Sequence, residues 1–107
     1  MPLWRQGDVL IETVDALPEG AVRIKSLVLA AGEVTGHRHR IASKRAACLF
    51  LWQGGPSRTP LLFMEVLRDT ADVIHPEHDT ITLPRGFYRV WQQRELSSGG
   101  GWHTMAD

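Results

Sequence analysis

Apolar residues in this chain come in short runs punctuated by Gly, Pro and Asp, with little sign of the three-to-four-residue stripe of an amphipathic helix. Gly7 to Val14 reads as a first strand, closed by the turn residues Leu17-Pro18-Glu19-Gly20. From Ala21 to Ala30, Val22, Ile24, Ser26 and Val28 alternate with Arg23, Lys25 and Leu27, the period of two that a strand requires. Ala46 to Gln53 is almost continuously apolar, as expected of a strand covered on both faces. Leu61 to Leu67 follows the Gly54-Gly55-Pro56 turn, and two short strands, Ala71 to His75 and Asp79 to Leu83, flank a turn at residues 76–78. The last strand, Gly86 to Glu95, puts Phe87, Arg89 and Trp91 on one face and Tyr88, Val90 and Gln92 on the other. Some seven short strands spaced by turns predict an all-β barrel or sandwich. The expected domain covers residues 1–96. The Gly/Ser-rich stretch that opens residues 97–107 reads as a flexible tail, with Trp102 and His103 ordered only if they dock.

Composition narrows the function classes. The chain has 107 residues, 43% of them hydrophobic and 22% charged, enough for one modest core. Twelve basic residues balance twelve acidic ones. That balance argues against a nucleic-acid or anionic-membrane partner and leaves little repulsion between copies, so a homodimer is expected. The apolar run from Ala46 to Trp52 is far too short to span a bilayer. No basic region followed by an apolar stretch marks a secretory signal near Met1, and a single cysteine, Cys48, excludes an internal disulfide. A cytoplasmic protein with an inert buried thiol is the expectation.

The histidines carry the sharpest chemical signal. Four of five fall in two pairs, His37-Arg38-His39 and His75-Pro76-Glu77-His78. On an extended segment, residues two apart share a face, so two imidazoles can converge on an ion at the ~2.0–2.1 Å of a metal–nitrogen bond. A four-residue turn with Pro76 at its second position brings His75 and His78 to one side. One divalent transition metal held by His37, His39, His75 and His78 is therefore the first reading. The same residues, set among Arg38, Arg40, Lys44 and Arg45, equally suit a solvated loop. Imidazole accepts Zn, Fe, Ni or Cu without distinguishing them.

Ala31-Gly32-Glu33-Val34-Thr35-Gly36-His37-Arg38-His39 resembles the first motif of the cupin superfamily, and Leu83-Pro84-Arg85-Gly86-Phe87-Tyr88-Arg89-Val90 resembles the second. With Gln6-Gly7-Asp8-Val9-Leu10 and Gln92-Gln93-Arg94-Glu95, the arrangement is similar to a group of small bacterial cupin-like proteins with no established activity. The resemblance covers most of residues 5–95 and implies a jelly-roll barrel of seven or eight short strands. It departs from the standard pattern at the ligands. Ser43 and Lys44 stand where a glutamate is expected, and Arg89, protonated near neutral pH, stands where a histidine is expected. Any metal would need His75 and His78 in their place.

Three functions follow, the least favoured being nucleic-acid contact through the basic residues 38–45. One is a small metal-binding cupin-like protein with a histidine-lined site that binds or acts on a small-molecule ligand; whether it is an enzyme is left open. The alternative is a non-catalytic protein-binding or assembly module without metal, which predicts exposed apolar surface and no converging imidazoles.

Overall fold

The computed structural model describes residues 2–31, 37–55, 59–96 and 102–104. The chain is all-β, and its strands form a curled antiparallel half-barrel of the jelly-roll kind. Eight strands make the main sheet: β1 (Leu3–Gln6), β2 (Val9–Val14), β3 (Val22–Ile24), β4 (Val28–Ala31), β5 (Arg38–Ile41), β6 (Ala47–Trp52), β7 (Leu61–His75) and β8 (His78–Gln92). Their order is β1-β2-β8-β7-β5-β4, with β6 also paired to β7 and β3 to β6. One half of β7, Leu61 to Val66, therefore carries β6. Its other half carries β5 through Arg40↔Ile74 and Ile41↔Val73.

The β7–β8 hairpin is the spine, and it explains the curl. Each strand is 15 residues long. The regions expected as separate short strands, Ala71 to His75 and Asp79 to Leu83, are its distal ends. Sequence splits them because the ladder is interrupted. Val66 pairs with Gly86 and Thr70 with Pro84, so Leu67 to Asp69 bulge opposite Arg85 alone. Pro84 has no N–H to give a ladder, and Gly86 sits at φ 152°, a conformation side chains rarely adopt. Across the bulge the inward positions change from Met64 and Val66 to Ala71 and Val73. One long hairpin thereby turns a corner and wraps the core.

Other boundaries also moved. The expected strand from Ala21 to Ala30 is two, β3 and β4, separated where the Ser26 hydroxyl accepts the Val28 N–H at 3.0 Å. β1 and β5 are strands the hydropathy pattern did not mark. β5 alternates exposed Arg38 and Arg40 with buried His39 and Ile41, a strand whose inward set includes a polar ring.

The interior is built in rows across the sheet. Thr13, Tyr88, Met64, Leu49 and Ile24 face one another in register, and Tyr88, Met64 and Leu49 have no exposed surface. Trp4 packs edge-on against Tyr88 at 5.7 Å between ring centres. The next row runs Ile11, Val90, Leu62, Leu51, Val22. It begins fully buried at Ile11 and ends with Leu51 37% and Val22 65% exposed, because among the described residues nothing covers this side of the half-barrel.

Beyond the barrel, Arg94–Leu96 (β9) pairs with Trp102–Thr104 (β10) as a separate two-stranded ribbon. The rest of the tail expected at 97–107 lies outside the described residues. Among those residues, no helix is long and apolar enough to cross a membrane.

Candidate functional site

Among the described residues four polar or charged ones are buried, Gln6, Asp8, His39 and His75, and all four lie at one end of the half-barrel beneath the tip of the β7–β8 hairpin. Local sequence places each of them. Gly7, at φ 58°, opens the two-residue Gly7-Asp8 turn joining β1 to β2 and turns Gln6 and Asp8 into the structure. His39 is the inward residue between Arg38 and Arg40. Pro76-Glu77 closes the spine hairpin, so that His75 and His78 are direct partners.

Hydrogen bonds tie the group together. The Gln6 amide nitrogen donates to the carbonyls of Val73 and Asp79, each at 2.9 Å, clamping both strands of the hairpin. With its nitrogen so committed, the Gln6 amide oxygen accepts from His39 Nδ1 at 2.9 Å, which fixes a proton on that nitrogen. His39 Nε2 lies 3.5 Å from Asp8 Oδ1. Asp8 also accepts the Gln92 amide at 2.5 Å, while its backbone carbonyl accepts the Gln93 N–H at 2.7 Å. His75 Nδ1 accepts the Glu77 N–H at 3.0 Å, so it is the unprotonated nitrogen of that ring. At the rim, His37 Nδ1 lies 2.6 Å from the exposed Glu77 carboxylate.

The four histidines named from sequence thus lie side by side, with ring centres 4.2 Å apart for His39 and His75, 4.6 Å for His75 and His78, and 5.9 Å for His37 and His75. They do not form the expected metal site. Among the described residues, no group of three or more His, Cys, Asp or Glu is arranged to hold a metal ion. A ligand shell needs lone pairs from different rings aimed at one point about 2 Å away. Here the rings pack against one another instead, His39 and His78 nearly parallel at 15°. The Nδ1 atoms of His37, His39 and His75 are engaged with Glu77, Gln6 and the Glu77 N–H, bonds that hold the rings in this packing. The expected metal-binding histidine cluster and its divalent transition metal are therefore corrected to a hydrogen-bonded ring stack. Glu77, between the second pair of histidines, is the partner of His37.

Other candidates resolve plainly. Arg89 projects outward, on the face opposite Tyr88, and lies over the Trp91 ring at 5.0 Å. Cys48 is buried and free, and burial pushes its thiol up from the ordinary value, with Arg23 opposing and Glu65 adding to the shift. Lys44 and Arg45 are exposed in the turn before β6. Gln6 and Asp8 were not anticipated as site residues. The sequence holds a signal for them, a tight glycine turn flanked by two polar residues and then an apolar strand, but nothing in it says that the turn is buried.

No curated protein and no solved structure matches this chain. A family match runs over residues 5–93, from β1 through the residue after β8, and so includes the whole buried polar network. The match is not to cupins, and what stands of that resemblance is the curled antiparallel sheet. By this match the chain belongs to the family described as Domain of unknown function (DUF8820).

Proposed function

We propose that this chain is a non-catalytic assembly module, a protein-binding half-barrel that works without metal and docks a second copy of itself. The observation that carries the reading is the interior row Ile11–Val90–Leu62–Leu51–Val22, which passes from full burial to solvent within one sheet. An interior face that surfaces uncovered is the usual mark of a docking surface. Covering the two exposed side chains contributes about 25 cal/mol for each Å² of apolar surface removed from water.

Arg23 and Lys25 stand on or beside β3 and are exposed, and edge charges discourage strand-by-strand extension of a sheet. The docking is therefore by the face of the row and not by its edge. A chain with no net charge does not repel its copy, and a twofold contact lets each copy cover the other's row. The cupin-like jelly roll is then a scaffold here, its histidines serving stability. Analytical ultracentrifugation of the native chain and of Leu51→Lys tests the proposal. A dimer that Leu51→Lys converts to monomer is expected. A monomer at all concentrations, or a dimer indifferent to the substitution, contradicts it.

A further inference from the structure

The geometry points to a second site, adjoining the polar group at His75: a cleft on the outer face of β5 and β7 that binds a small molecule carrying a carboxylate or phosphate on an apolar body. Arg38, Arg40, Ile74, His75 and Pro76 line a cavity of about 420 Å³. That volume lies within the roughly 300–1,000 Å³ of small-molecule sites. Arg38 and Arg40 are two apart on one strand, so both guanidinium groups stand on the same face with Cα atoms about 6.5–7 Å apart. Among the described residues neither guanidinium has a hydrogen-bond or ion-pair partner, while acids of the β7–β8 hairpin are engaged elsewhere. Glu77 is with His37, Asp72 accepts the Thr82 hydroxyl at 2.8 Å, and Asp69 pairs with Arg85 at 3.1 Å.

Two like charges held side by side, with no acid paired to them among the described residues, are a receptor for an anion. The planar guanidinium fork matches the two oxygens of a carboxylate or phosphate. Ile74 and Pro76 supply an apolar wall that asks for a hydrocarbon part on the same ligand. The arginines are carried by a strand hydrogen-bonded to the spine through Arg40↔Ile74, so the backbone that carries both cations is fixed before the ligand arrives. A second basic cleft, at Arg23, Lys25 and Lys44, draws its cations partly from loop residues and offers no such paired fork.

The test titrates the full chain with phenyl phosphate, benzoate and the neutral benzyl alcohol, following amide resonances and the melting temperature. Saturable binding of either anion, absent for benzyl alcohol and weakened about tenfold or more by Arg40→Gln, is expected, since a charge-assisted hydrogen bond is worth about that factor. Tighter binding of phenyl phosphate than of benzoate identifies phosphate as the natural head group, and the reverse identifies carboxylate. Arg40→Lys keeps the charge and loses the fork, so it should bind more weakly than the native chain but better than Arg40→Gln. Non-saturating shifts, equal binding of the alcohol, or an Arg40→Gln variant that keeps its fold and its affinity would overturn the site. So would a short single-stranded oligonucleotide that binds there and resists displacement by phenyl phosphate.

Discussion

The two ends of the half-barrel differ in what they leave unfinished. Beneath the hairpin tip, the Gln6 amide, the Asp8 carboxylate and the Nδ1 atoms of His39 and His75 hydrogen-bond to one another, to Gln92 and to the backbone of the β7–β8 hairpin. At the β3–β6 side, Val22 and Leu51 belong by register to the interior but are exposed. The residues with the richest chemistry are thus occupied in holding the fold. A stretch that reads as ordinary strand, Val22-Arg23-Ile24 beside Leu49-Phe50-Leu51, is where surface remains to be covered. A histidine-rich pattern is therefore as consistent with a buried network as with a reactive site, and partner geometry decides between them.

Several substitutions probe that contrast, beginning with the largest effect. Gln6→Leu fits the space but abandons the carbonyls of Val73 and Asp79 and the His39 Nδ1–H, three buried groups at roughly 1–3 kcal/mol each. A loss of about 4 kcal/mol, read from the urea midpoint, is expected. A loss under about 1 kcal/mol would mean the polar end does not hold the fold. Next is Gly54→Ala. A Cβ there would lie 2.5 Å from Cζ2 of Trp52, whose indole N–H donates to the Glu19 carbonyl at 2.9 Å. The ring must move, at about 2 kcal/mol and with a shift in tryptophan emission.

Tyr88→Phe is milder. The buried phenol donates to the Pro84 carbonyl at the corner of the spine, so its loss costs about 1 kcal/mol. Burial raises the Tyr88 hydroxyl above its ordinary 10.0. A raised folded-state value contributes stability that is fully present below the ordinary tyrosine value and is lost as pH climbs through the folded one. The native chain should therefore lose stability at alkaline pH, and Tyr88→Phe should flatten that limb in denaturation series. Smallest is the effect of Leu51→Lys on folding. At an exposed position it should change monomer stability by less than about 0.5 kcal/mol while abolishing assembly, which separates the open edge from the closed end.

Much of the fold was legible. Short apolar runs bounded by turns marked β2 and β6, alternation marked the β8 face pattern, and Pro76 marked the hairpin that pairs His75 with His78. The continuity of β7 and β8 was hidden because a bulge and a proline look like strand ends in one dimension. β5 was hidden because an inward histidine breaks the apolar alternation. The site was half legible for a related reason. Spacing put the histidines together, but which way a ring nitrogen points depends on Gln6, more than 30 residues away in sequence, and no local pattern encodes that bond.

Amide spectra recorded on dilution test the central claim most directly. The account predicts concentration-dependent shifts confined to Val22–Ile24, Leu49–Leu51 and Leu62, with Gln6, His39 and His75 unmoved. Spectra that do not change with concentration, or changes centred on the histidines instead, would contradict it.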